Sequence, residues 1–172
     1  DAYKLQVVIE RLAHQLVENH RDFSQSALIG IQPRGVYFSD RVVHALKQIV
    51  PTPLQYGKLD ITFYRDDLHS GHGLQTPNQT DIPFSIAHKK LVLIDDVLFT
   101  GRTIRSALDA LVDFGRPAKV ELMTLIDRRF SREVPIQADY TGLTIDTIVS
   151  QQVKVRWQEK DGKDEVLLID QD

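Results

Sequence analysis

The segment that most restricts the fold is an apolar run, Leu91-Val92-Leu93-Ile94, that ends in two adjacent acids, Asp95 and Asp96. A tight polar turn follows, Leu98-Phe99-Thr100-Gly101-Arg102-Thr103, and then Ile104, Leu108 and Leu111 at helical spacing. An unbroken apolar run reads as a strand buried on both faces, which an α/β fold with a largely parallel sheet provides. In such folds ligands bind beyond the carboxyl ends of the strands. Two carboxylates side by side at such an end repel each other and need a partner, which a sugar diol or a metal ion would supply.

The turn has the parts of a phosphate cradle. Gly101 permits close backbone approach, Thr100 and Thr103 offer hydroxyls, and the following helix points its positive end at the site. Neither a P-loop nor a dinucleotide-binding glycine fingerprint is present. Taken singly, Asp96 or Thr100 reads more simply as a helix cap. The ordered string is far more specific than its parts.

The rest of the chain supplies matching elements. Leu5, Val8, Ile9, Leu12 and Leu16 predict an amphipathic helix ending near Asn19. Ala27 to Ile31 reads as a strand, and Val36 to Ile49 as a helix broken by Pro51 and Pro53. Lys58 to Tyr64 alternates as a half-buried strand would. Gly115 and Pro117 stop the helix after the turn, Val120 to Ile126 is a further strand, and Val153 to Trp157 and Val166 to Ile169 are strands joined at Asp161-Gly162. Arg65 to Pro83 is polar and aperiodic, as a lid or binding loop would be. His69, His72 and His88 read as solvated residues rather than ligands.

With 172 residues, 42% hydrophobic and 26% charged, one domain with a sizeable core is expected. The net charge of −3 argues against coating nucleic acid by bulk charge. The absence of cysteine removes disulfides, thiolate metal sites and a Cys nucleophile. No apolar run approaches the roughly 20 residues of a membrane span. The start, Asp1-Ala2-Tyr3-Lys4, lacks both an initiator Met and the form of a signal peptide. A cytoplasmic protein is the default expectation.

Val92 to Thr103 resembles the phosphoribosyl pyrophosphate (PRPP) signature of type I phosphoribosyltransferases: apolar strand, two acids, short spacer, Thr-Gly-x-Thr. Within that class the chain is most similar to the PyrR proteins, which are uracil phosphoribosyltransferases and, in many bacteria, regulators that bind pyrimidine-operon mRNA. The likeness spans nearly the whole chain, through Arg11-Leu12-Ala13-His14, Ile29 to Gly35, Leu59 to Leu68, Phe114 to Pro117 and Pro135 to Tyr140.

The resemblance implies one Mg²⁺-dependent domain that converts PRPP and uracil to UMP and diphosphate, with a loop over residues 65–83 that closes on PRPP and a hood over residues 126–145. It implies that Asp95 and Asp96 hold the ribose hydroxyls and organise Mg²⁺ through PRPP. Thr100, Gly101, Arg102 and Thr103 would hold the 5′-phosphate. Arg34 and Gly35 would meet the pyrophosphate, although Arg34 alone would pass as a solvated turn residue, and a non-proline cis peptide is expected in that turn. Arg65 would reach the pyrophosphate on closure. Ile126, Asp127 and Arg128 would border the base, mostly through backbone groups. The stretch Asp127 to Glu133 carries one residue more than the family pattern Asp-Arg-Gly-His-Arg-Glu, which leaves a different nucleobase open.

On the family's RNA face His14 and Arg132 match. Glu10 replaces a hydroxyl residue, and Gln137 and Leu143 replace cations. Fewer cations weaken phosphate contacts, so reduced or absent leader-RNA regulation is expected. A homodimer or larger homo-oligomer, and no membrane partner, complete the expectations.

Overall fold

The computed structural model describes residues 1–66, 77–147 and 150–170. Five strands form one sheet in the order β2-β1-β3-β4-β5, with every neighbouring pair parallel. They are β1 (Ser26–Ile31), β2 (Tyr56–Leu59), β3 (Lys90–Leu98), β4 (Lys119–Arg129) and β5 (Tyr140–Asp146). Helices α1 (Ala2–His20), α2 (Gly35–Lys47) and α3 (Arg102–Leu111) cover it. A separate antiparallel pair, β6 (Gln151–Arg156) and β7 (Glu165–Asp170), flanks the four-residue helix α4 (Gln158–Asp161).

Side-chain alternation along the central strands explains why they are apolar throughout. Leu28 of β1 and Val92 and Ile94 of β3 join α1 and α2 in one core; Ala27, Ile29, Leu91 and Leu93 face α3 in the other. A strand covered on both faces has no solvent side to make polar. The acids of β3 therefore stand out: the strand runs through Asp95 and Asp96 to Leu98 without a break.

Two elements differ from the sequence expectation. The alternating stretch 58–64 is not one strand. β2 ends at Leu59, and Thr62–Tyr64 forms a 3-10 turn. Asp60 causes the break: its carboxylate accepts the Thr62 backbone N–H at 3.2 Å and the Thr62 hydroxyl at 2.7 Å, a local bond that competes with sheet pairing. β5 had no predicted counterpart. It is a half-exposed edge strand that contains Gly142, where a Cβ would meet the Leu125 carbonyl oxygen at 2.4 Å. Arg11 of α1 donates to the Gly142 carbonyl at 2.6 Å and so covers part of this sheet edge. Residues 126–145, the expected hood, comprise the end of β4, its connection and most of β5.

The first turn contains a cis peptide at Gln32–Pro33, a proline bond and not the non-proline one expected there. Of the expected closing loop, residues 67–76, including His69 and His72, lie outside the described residues. Among the described residues, no helix is long and apolar enough to cross a membrane.

Leu93 lies fully buried on the central strand. Leu93→Ala is expected to lower the unfolding free energy by roughly 3 kcal/mol, read as a lower urea midpoint at unchanged slope.

Candidate active site

The strand order reverses direction between β1 and β3, and a crevice opens there at the carboxyl ends of the strands. The turn after β1 brings Arg34 and Gly35 to one side. The end of β3 brings Asp95 and Asp96 to the other. Gly35 lies so close to β3 that a Cβ would sit 2.8 Å from the Ile94 carbonyl oxygen and 3.0 Å from Asp95 Oδ1.

Two cavities meet at this point. One, of about 310 Å³, is lined by Asp66 and by the turn from Leu98 to Thr103. The other, of about 180 Å³, is lined by Arg34, Thr62 and Asp96. Both touch Arg65, Asp95, Val97 and Thr103. The first has the character of an anion cradle. Gly101 takes a left-handed φ of 90° at the start of α3, which glycine adopts without steric cost. The amides that open α3 then face the cavity with the positive end of the helix. Ile136 and Val134 pack where a Gly101 side chain would go, at 3.2 and 3.3 Å.

Asp95 and Asp96 are both buried, at 8% and 7% exposure. Burial, and then the neighbouring Asp96 charge, push the Asp95 carboxyl well above the usual carboxylate range. Burial raises Asp96 too, against the opposing pull of Arg34, whose Nε lies 3.5 Å from Asp96 Oδ2. Asp95 also accepts the Asp96 backbone N–H at 2.9 Å. A pair so placed is short of positive charge. It suits a cation arriving with a substrate, or hydroxyl donors, and so fits a hydrated Mg²⁺ carried on phosphates. Among the described residues, no group of three or more potential metal-ligating side chains occurs.

The loop after β4 closes the far side. Thr100 offers its carbonyl to the amides of Glu133 and Val134, at 2.9 and 3.1 Å. Arg132 donates to the carbonyls of Phe99, Arg128 and Ile136 at 2.6, 3.0 and 2.9 Å and pairs with Asp127. Its hydrogen bonding thus goes into the protein, whereas His14 is exposed on α1 beside a groove shared with Glu10 and Arg41. Ile126 is a core residue, fully buried. Arg128 is buried as well: it donates to Thr147 Oγ1 at 3.1 Å and the Gln151 carbonyl at 2.6 Å, and its guanidinium lies 3.8 Å over the Phe99 ring. Arg102 faces outward and pairs with Asp66 at 2.7 Å, tying the last described residue before 67–76 to α3 and holding the Asp66 carboxyl below its usual range.

Sequence reasoning passed over the contribution of the carboxyl-terminal hairpin. Its Asp161 lies 3.4 Å from Arg34 Nη2, and the same nitrogen donates to the Val155 carbonyl. Trp157, the chain's one tryptophan, is fully buried, and its indole side chain lies close enough to Asp96 to favour that residue's charged form. The sequence signal was Asp161-Gly162 read only as a turn.

Comparisons with known proteins bear on the family and the fold. The phosphoribosyl transferase domain family matches residues 2–160. "Bifunctional protein PyrR" of Actinobacillus pleuropneumoniae serotype 5b (strain L20) is 47% identical over 171 residues, covering 98% of this chain and 94% of that one. "Bifunctional protein PyrR" of Elusimicrobium minutum (strain Pei191) is 44% identical over 169 residues, covering 98% and 94%. Among solved structures, the hypoxanthine phosphoribosyltransferase of Trypanosoma cruzi superposes with a TM-score of 0.73 at 16% identity over 99% of this chain and 94% of that one. That of Staphylococcus aureus gives 0.69 at 23% identity over 94% and 85%. These structures share the fold: a central parallel sheet with helices on both faces. The chain belongs to the type I phosphoribosyltransferases and, within them, to the PyrR family.

Proposed function

We propose that the chain is a bifunctional protein of the PyrR kind, which transfers a phosphoribosyl group from PRPP to uracil and also acts as an RNA-binding regulator. The observation that carries the transferase reading is the pair of joined cavities meeting at Asp95: a phosphate cradle on one side and an arginine-bordered recess on the other. A ribose with phosphates at both ends has that shape.

In this reading Thr100, Gly101, Arg102 and Thr103 hold the 5′-phosphate through backbone amides and hydroxyls. Asp95 and Asp96 receive the ribose hydroxyls. Arg34, with Gly35 giving close approach, meets the pyrophosphate, and Arg65 completes the contact as the segment beyond it closes. Asp95 and Asp96 would also hold the Mg²⁺–PRPP complex, and that ion when bound supplies charge neutralisation to the departing pyrophosphate. The N1–C1′ bond forms as the C1′–O bond to pyrophosphate breaks, and the uracil N1 proton passes to solvent or to the departing pyrophosphate. Charge develops on the ribose, so the fixed acids beneath it and exclusion of water are the chain's main contributions. Uracil would lie beyond Ile126, Asp127 and Arg128. Because Ile126 is buried and both charged side chains are engaged, backbone groups are the ones left for the base.

The names of the curated relatives favour the regulatory reading over a uracil enzyme alone, against the sequence expectation drawn from Glu10, Gln137 and Leu143. His14, exposed beside the groove between α1 and α2, is the residue proposed to meet RNA; Arg132 is not, given its engagement within the site loop. Tight binding of a structured pyrimidine leader RNA, weakening steeply as salt rises, is the expected result in a filter-binding titration. Binding no stronger than to an unrelated hairpin would remove the regulatory half.

With Mg²⁺ and PRPP, uracil is expected to give UMP while hypoxanthine, guanine, adenine, xanthine and orotate give no nucleotide. The Asp95→Asn/Asp96→Asn variant should lose product by at least about 100-fold. Product from another base would replace uracil and leave the PRPP site standing.

The same acids carry a stability signature. A carboxyl raised by burial favours the fold most when protonated, so its contribution is full below about pH 4 and lost as pH rises through the raised folded value. Asp95→Asn is therefore expected to raise Tm at pH 8, by about 2 °C or more, with the gain shrinking toward pH 4 in calorimetry.

A further inference from the structure

We propose that Asp161, in the carboxyl-terminal hairpin and outside the nucleotide-binding segments, is a positioning residue that aims Arg34 into the crevice. The inference rests on the reading of Arg34 as a pyrophosphate contact.

Arginine at the end of a turn has several low-energy rotamers, and holding one of them lowers affinity unless the protein fixes it in advance. Here three groups fix it from one side. The Val155 carbonyl accepts from Nη2, Asp161 Oδ2 lies 3.4 Å from the same nitrogen, and Asp96 Oδ2 lies 3.5 Å from Nε. Among the described residues Nη1 has no protein partner, and the side chain is 33% exposed along the smaller cavity. The planar fork is thus anchored along one edge and presents the other.

Asp161 is itself fixed. Its Oδ2 accepts the Trp157 backbone N–H at 2.9 Å, and Gly162 follows in a left-handed conformation with φ 76°. Trp157 is buried against Phe38 of α2, with ring centroids 6.2 Å apart. Arg41, also of α2, lies 4.9 Å from the Trp157 ring centroid and pairs with Glu159 and Asp164 at 2.8 and 2.7 Å. The helix that begins at Gly35 thereby carries the platform that holds Arg34. The Trp157 amide, followed by Arg34, keeps the Asp161 carboxyl below its usual range, which leaves it charged toward the guanidinium.

Asp161→Asn separates this role from folding. The amide oxygen still accepts the Trp157 N–H, so the turn is retained, while the charge facing Arg34 is lost. With the full chain, Mg²⁺ and PRPP, steady-state kinetics and calorimetric PRPP binding would be compared across wild type, Asp161→Asn, Asp161→Glu, Arg34→Ala and the Arg34→Ala/Asp161→Asn double variant. The expected result is about a fivefold rise in KM and Kd for PRPP in Asp161→Asn, kcat changing by less than about twofold, and partial recovery in Asp161→Glu. In the Arg34→Ala background the second substitution should add nothing, because the group it acts through is gone.

Asp161→Asn binding PRPP as wild type does, or weakening it equally with and without Arg34, would overturn the positioning role alone. Wild-type protein that fails to bind PRPP would overturn it together with the functional reading on which it rests. A lowered Tm with unchanged KM would reduce Asp161 to a structural cap and count against the proposal.

Discussion

Burial of two neighbouring carboxylates at the end of the central strand is the constraint around which the rest of the molecule is arranged. Moving one carboxylate out of water is unfavourable, and placing a second beside it compounds the effect through like-charge repulsion. Asp95 and Asp96 are kept there because β3 continues through them as an ordinary paired strand, Asp95 bonding opposite Thr124 of β4. Arg34 offsets part of the charge from across the crevice. The deficit that remains is the driving force for a ligand bringing cations or hydroxyl donors to this point. Stability and binding thus pull against each other at one dipeptide.

Much of this was legible in the chain itself. The apolar run, the acid pair and the Thr-Gly-Arg-Thr turn named the strand, its end and the cradle in one continuous stretch, because local chemistry and global position coincide there. Helices α1 and α2 were equally plain, since an apolar period of 3.6 residues places one stripe on a helix and would scatter over both faces of a strand. What could not be read depends on contacts distant in sequence. Lys58 to Tyr64 alternates like a strand, yet a single carboxylate at Asp60 captures the Thr62 amide and ends the pairing. β5 holds a glycine explained by the close approach of the Leu125 carbonyl and of Val8 from α1. Arg132 looks on paper like a surface cation, and five residues of the surrounding strand ends, loop and turn claim its donors.

The opposite end of the sheet shows a different solution to buried polarity. His20 sits between Ser26 at 2.7 Å and Glu121 at 2.8 Å, and Tyr140 and Lys119 donate to the same glutamate at 2.9 and 2.6 Å. Here each acceptor and donor has its partner within the protein, and α1 is joined to β4 and β5 by that network. A satisfied polar cluster adds rigidity, whereas at Asp95 and Asp96 two carboxylates face the single guanidinium of Arg34. The two ends of one sheet differ in whether their charges have been matched.

The bonds from Thr100 to Glu133 and Val134, together with the Arg132 fork, have a wider consequence. They splice the turn after β3 to the loop after β4, so that neither can be redrawn independently. Phe130, just beyond the end of β4, stands exposed in a left-handed conformation, away from the splice. A change in the length or composition of that loop is thereby directed to its outer end, while its root stays in register with the turn after β3.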